Sequence, residues 1–231
     1  MTIIDPLLFT EVADALGIGN PVIIEKDFYA VLLLKELSLL NFDNYQLVFA
    51  GGTCLTKVHK NTYRMSEDID IKLVPSQEML GQPNSMQRRC IKLVYQKIVT
   101  MLDSSPVFKL LETKKRNEGR FQQFLIQYSR HHELINSLRP HLQLEVTESV
   151  LLEPAISSPI FSLYAEVIKD KPEVPMFSCV TMKTTASEKF ISLLRRTASF
   201  NRDNTQADDE TLIRHVYDLH KQPSKNIYNN S

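Results

Sequence analysis

The chain has 231 residues, 43% of them hydrophobic and 23% charged, which is the balance of a globular protein with a substantial core. Its 27 basic and 27 acidic residues cancel, which excludes bulk attraction to nucleic acid, so any such contact needs a local patch. Three cysteines, Cys54, Cys90 and Cys179, are odd in number and far apart, a pattern that fits neither a disulfide framework nor a zinc site. The first residues lack a basic stretch, and the most apolar run, 29–40, is interrupted by Lys35 and Glu36. Neither a signal peptide nor a bilayer span is expected, and the protein is expected in the cytoplasm with no membrane partner.

Taken in order, Asp5-Pro6 reads as a helix start and Gly17 as its stop. Asn20-Pro21 opens a longer helix over 21–40, whose apolar content is that of a buried helix. Glu25, Lys26 and Asp27 on it read as mainly structural. Residues 46–50 read as a strand, 53–60 as a short helix and 68–74 as a second strand. Asp68 and Asp70 are two apart, so on a strand both carboxylates leave one face while Ile69 and Ile71 enter a core. Carboxylates so spaced can bridge a pair of hard cations. Gly51-Gly52-Thr53, ahead of the short helix, offers backbone N–H groups and a hydroxyl to a phosphate.

A loop with Pro75, Gly81 and Pro83 leads to a helix over 85–102, buried through Ile91, Val94, Ile98 and Met101. Its polar face, Arg88, Arg89, Lys92 and Lys97, reads as solvated. Residues 108–111 precede a basic turn over 114–120, and 121–128 look like its returning strand. If that turn adjoins Lys57, Lys60 and Arg64, the group makes a basic patch for RNA phosphates. The segment 141–148 alternates as a strand with Glu145 on its polar side. If it lies beside the Asp68–Asp70 strand, Glu145 can supply a third carboxylate; the other reading is a solvent-facing strand residue, and register is not visible in one sequence. Residues 149–180 read as irregular, broken by Pro154, Pro159, Pro172 and Pro175. Thr185-Ala186-Ser187-Glu188 fits a capping box opening a helix to about 199. Phe190, Ile191 and Leu194 are its expected buried side, and Lys189 and Arg196 share a face. A last helix over 209–221 carries Arg214 and Asp218.

Gly51-Gly52-Thr53-x-Leu55-x-Lys57, followed by Arg64-x-Ser66-Glu67-Asp68-Ile69-Asp70-Ile71, resembles the AbiEii/AbiGii toxin family of nucleotidyltransferases. Glu188-Lys189 with Leu193 and Arg195-Arg196 is similar to that family's E-K-x-x-x-L-x-R element, and Arg214-His215-x-x-Asp218-Leu219 to its R-H-x-x-D-L element. The resemblance implies an α+β fold: a polymerase-β-like core of small mixed sheet and flanking helices, then a mainly helical C-terminal part. The expected division is 1–155 for the core with its N-terminal helices and 156–231 for a helical domain completing the active site.

The implied activity is metal-dependent transfer of NMP from an NTP, by the toxin of a toxin–antitoxin or abortive-infection system. Asp68, Asp70, Lys189 and Asp218 carry catalysis in this reading; Asp68, Asp70 and Glu145 hold Mg²⁺ or Mn²⁺. Gly51, Gly52, Thr53, Lys57, Ser66 and Arg196 contact the nucleotide. The implied acceptor is a tRNA 3′ end, with a cognate antitoxin as protein partner. Alternatives are transfer onto a protein hydroxyl, a nucleotide-binding module without transfer activity, and a D-x-D glycosyltransferase, which the Gly51-Gly52-Thr53 turn argues against.

Overall fold

The computed structural model describes residues 5–59, 67–136 and 138–202, with side chains through residue 198. Helix α1 (Pro6–Ala15) starts at an Asp5 cap whose carboxylate accepts the Leu7 N–H at 3.0 Å. It ends at Gly17, which takes φ +65°, and the Ile18 N–H then reaches the Ala13 carbonyl at 2.8 Å. Helix α2 (Val22–Ser38) is buried over most of its length, its apolar residues interrupted by Glu25, Lys26 and Asp27 near the start and by exposed Lys35 near the end.

The chain continues through β1 (Tyr45–Ala50), α3 (Gly51–Lys57), β2 (Asp68–Pro75), α4 (Gln77–Leu80) and α5 (Asn84–Asp103). Then come β3 (Phe108–Arg116), β4 (Phe121–Tyr128), β5 (Leu142–Glu148), β6 (Ile156–Ile160), α6 (Leu163–Ile168), β7 (Val174–Cys179) and α7 (Met182–Arg202). The strands form one seven-stranded mixed sheet in the order β3-β4-β5-β2-β1-β7-β6. The β2–β5 and β1–β7 pairs are parallel; the others are antiparallel.

The two faces of the sheet differ in chemistry. On one, Ile69, Ile71, Leu73, Leu144, Val146, Phe124 and Ile126 are buried. Tyr95 of α5 packs edge-on to Phe124, ring centroids 6.1 Å apart, and Tyr29 of α2 packs against Phe108 and Tyr128. Each such aliphatic side chain contributes about 1.5–3 kcal/mol by leaving water. A one-residue slip of β2 would expose Ile69, Ile71 and Leu73 and bury Asp68, Asp70 and Lys72, so the apolar face fixes the register. Asp68, Asp70, Lys72, Gln143, Glu145 and Gln123 are thereby held together on the opposite face.

The expected mixed sheet with flanking helices is present, with four departures from the sequence reading. Helix α3 starts at Gly51, inside the glycine turn rather than after it. Strand β3 runs on to Arg116, so Lys114–Arg116 lie in a strand and the turn is Asn117–Arg120. The stretch 149–180 is not irregular: β6 and β7 continue the same sheet beyond residue 156, and helical structure predominates only from α7. Their prolines misled because Pro159 falls where the β6–β7 register shifts, and β7 meets β1 only at Cys179.

The fourth departure concerns α7, which begins three residues before the expected capping box. Thr181 caps it by accepting the Thr184 N–H at 3.1 Å. The side of α7 turned inward is Thr184, Thr185 and Lys189, whereas Phe190, Ile191 and Leu194 are exposed.

Candidate active site

A cavity of about 340 Å³ opens on the polar face, lined by Ala50 to Gly52, Asp70 to Lys72, Glu145, Thr147 and Ser149, and by Thr185, Glu188, Lys189 and Ser192 of α7. A larger cleft of about 540 Å³, between Leu40–Tyr45 and α5, is mostly apolar, and its charged lining residues are Asp43 and Lys97. The reactive groups are gathered in the smaller one.

Gly51 shapes this cavity. It has φ +73°, and a Cβ there would lie 1.8 Å from Asp70 Oδ2. Only glycine lets the β1–α3 turn close onto that carboxylate. The parallel β2–β5 pairing sets Asp70 opposite Glu145 and Asp68 opposite Gln143. The register thus puts Glu145 beside the aspartate strand, on the face that carries Asp70. One oxygen of Glu145 accepts amide hydrogens from Gln123 at 2.9 Å and Gln143 at 2.8 Å, which orients the carboxylate.

Withdrawal from water, then the nearby Glu145 and Asp68 carboxylates, push the pKa of Asp70 up to about 7, against the pull of Lys189 and Lys72. Lys189 comes in from α7 and is 9% exposed. Lys72 is ion-paired with Glu188, which ties β2 to α7 across the cavity.

The sequence model of the family described as nucleotidyl transferase AbiEii toxin, type IV toxin–antitoxin system, matches residues 32–225. The chain belongs to the AbiEii nucleotidyl transferase toxin family. It is therefore a nucleotidyltransferase with an NTP substrate, from a toxin–antitoxin system that implies an antitoxin partner. The fold is similar to MenT4, a nucleotidyltransferase toxin from Mycobacterium tuberculosis H37Rv, at 19% identity and a TM-score of 0.51, over 90% of this chain and 68% of that one. A search of the curated proteins gives no match. Among the described residues no helix is long and apolar enough to cross a membrane.

Of the expected site residues of this AbiEii-family enzyme, Gly51, Gly52, Asp70, Glu145 and Lys189 meet at the cavity. Others do not. Lys57, expected at the nucleotide, is instead ion-paired with Asp27, and Asp27 also accepts the Leu163 N–H at 2.7 Å. That buried link joins α2, α3 and α6, so the ammonium is directed away from the cavity. The Thr53 hydroxyl donates to the Asp68 backbone carbonyl and is buried, holding α3 onto β2. Arg196 is exposed farther along α7, outside the cavity lining. Ser66 and Asp218 lie outside the described residues, as do Lys60, Arg64 and the expected helix over 209–221.

Asp68 shares its strand face with Asp70, but its carboxylate accepts from the Arg139 guanidinium. Arg139 also donates to Gln143 at 3.0 Å, and its backbone N–H donates to Glu67 at 2.8 Å. Among the described residues no three His, Cys, Asp or Glu side chains converge as a closed metal cage. Asp70 and Glu145 nonetheless stand opposite each other at the cavity, where burial and the neighbouring carboxylates raise the Asp70 pKa. That fits a divalent cation completed by substrate phosphates rather than by an all-protein cage.

Sequence reasoning missed Lys72, Gln123, Gln143 and Arg139. Lys72 was within reach, since it is two residues beyond Asp70 on the same strand face. Arg139 sits in a segment without periodicity, and nothing in the sequence pointed to it.

Proposed function

We propose that this enzyme transfers NMP from an NTP to the 3′ end of an RNA, with tRNA as the acceptor, and that it acts in the cytoplasm. The observation that carries the reading is the meeting of Gly51, Asp70, Glu145 and Lys189 at one cavity. Asp70 and Glu145, with Asp68 once it leaves Arg139, would hold Mg²⁺ or Mn²⁺, which when bound lowers the pKa of the attacking hydroxyl and neutralises the pyrophosphate.

The chain's own groups then have separate tasks. The Gly51-Gly52 backbone, with no side chain in the way, lets the triphosphate come close to β1 and α3. Lys189 faces that approach from α7 and offsets negative charge as it builds on the leaving phosphates. Glu145, held by Gln123 and Gln143, keeps one oxygen to take the acceptor's proton. The acceptor oxygen bonds to the α-phosphorus as the bond from that phosphorus to its β-bridging oxygen breaks. Pyrophosphate leaves with the electron pair.

The test is incubation with each α-³²P-labelled NTP and Mg²⁺ or Mn²⁺, with total RNA and total protein supplied separately. Label in a tRNA-sized band, absent with Asp70→Ala, is expected. Label in protein, lost in the same variant, would retain the chemistry and overturn the acceptor. No label in either, with intact NTP binding, would reduce the protein to a nucleotide-binding module.

A further inference from the structure

The polar face does not end at Glu145. The register carries it outward across the sheet, from Asp70 to Glu145, then Gln123, then Lys114. Partnered residues point to the same face, and neighbouring strands are about 4.8 Å apart, so Lys114 stands roughly 14 Å from Asp70. One partnered position along, Arg116 lies opposite Phe121, and its guanidinium is 5.8 Å from the centre of the Phe121 ring. On the reverse face, β4 buries Phe124, Ile126 and Tyr128 against the core. On this face Phe121 and Gln123 stay partly exposed and Lys114 and Arg116 exposed.

This composition is more than edge protection. Charged side chains on an edge strand such as β3 discourage pairing with other chains, but they do not call for an aromatic ring and amides beside them. Lys114 has one weak exposed contact, to Glu112 at 3.5 Å, and such a pair contributes little. Aromatic rings and guanidinium planes both stack on unpaired bases, side-chain amides reach base edges, and cations follow the backbone.

In-line chemistry supplies the direction. With the triphosphate at Gly51-Gly52 and Lys189, the attacking hydroxyl must enter from the opposite side of Asp70, the β5 side. We propose that the open face of β5-β4-β3 is the acceptor platform, on which the single-stranded 3′ segment of an RNA lies. Phe121 with Arg116 stacks a base, Lys114 and Arg116 contact phosphates, and the terminal hydroxyl reaches Glu145. The proposal rests on RNA being the acceptor.

The test uses the full chain, a 12-nucleotide fluorescein-labelled single-stranded RNA with a free 3′-hydroxyl, and fluorescence anisotropy over a salt series. Phe121→Leu keeps the apolar bulk and removes the ring. Lys114→Ala/Arg116→Ala changes exposed positions only, so it remains informative should Phe121→Leu lower the melting temperature. A fluorescent NTP is titrated in parallel. Expected are about 5- to 30-fold weaker RNA binding for Phe121→Leu and a salt slope reduced by about 1.4 for the double variant. NTP affinity is unchanged in both.

Wild type that binds and labels RNA, with both variants unaltered in RNA affinity and in KM for RNA, overturns the platform and leaves RNA transfer standing. Wild type that neither binds nor labels RNA but labels protein overturns both.

Discussion

Around α2, each buried charge is held by a counter-ion or by backbone N–H groups; around β2, carboxylates are crowded together. Lys26 is 1% exposed and pairs with Glu67, while also donating to the Arg139 carbonyl at 2.8 Å. Asp27 pairs with Lys57. Glu25 is fully buried and accepts the backbone N–H groups of His131 at 2.7 Å and His132 at 3.1 Å. Each of these fastens α2 to another part of the chain, and each leaves little for a ligand to do. The Asp70–Glu145 pair lines a cavity instead, and burial with neighbouring carboxylates raises the Asp70 pKa to about 7. The difference teaches that buried charge alone does not mark a site. Buried charge held by its own partner builds structure, and carboxylates crowded at a cavity suit a cation or a substrate.

Substituting one member of each set should give opposite results. Asp70→Asn removes the crowded charge, so transfer falls on the order of 10²- to 10³-fold while the melting temperature at pH 8 holds or rises. Single-turnover transfer and a thermal melt on the same sample check both halves. Gly51→Ala puts a methyl where Asp70 Oδ2 lies. The displaced carboxylate lowers transfer about 10²-fold, as misplacement by an ångström does, with some loss of stability from the positive φ. Lys26→Met is the reverse case: leaving Glu67 without its ammonium costs about 3 kcal/mol of stability. Turnover per folded molecule changes only a few-fold, read as urea midpoint against kcat.

The smallest effect is in pH. The folded pKa of Asp70 is raised from 3.8 to about 7, so between those values the native state keeps a proton that the unfolded chain has released. Stability is therefore lost as pH rises through that window. The melting-temperature gap between Asp70→Asn and wild type should widen from pH 4 to pH 7 and then level off. A gap independent of pH would contradict the crowding.

Much of this site was legible because its logic is local. The period-two spacing of Asp68 and Asp70 needs only a strand, and Gly51 needs only a turn. Glu145 was undecided because the β2–β5 pairing joins segments more than seventy residues apart in sequence, and no local pattern encodes a parallel register. Lys189 emerged through family resemblance, since on α7 alone its apolar neighbours suggested the opposite face. Lys57 misled because a lysine after a glycine turn looks like a phosphate ligand until Asp27, thirty residues upstream, is seen beside it. Arg139 gave no signal at all. Its hold on Asp68 predicts that Arg139→Ala strengthens Mn²⁺ binding a few-fold, measurable by titration, because the carboxylate no longer has to leave a guanidinium.

The most direct test of the contrast is Mn²⁺ binding followed by electron paramagnetic resonance, with and without a non-hydrolysable NTP. Wild type, Asp70→Asn, Glu145→Gln and Glu25→Gln would be compared. The account predicts that wild type removes more free Mn²⁺ signal than the nucleotide does by itself, that Glu25→Gln does the same while folded, and that Asp70→Asn and Glu145→Gln add nothing to the nucleotide's own uptake. Undiminished binding by Asp70→Asn would contradict it.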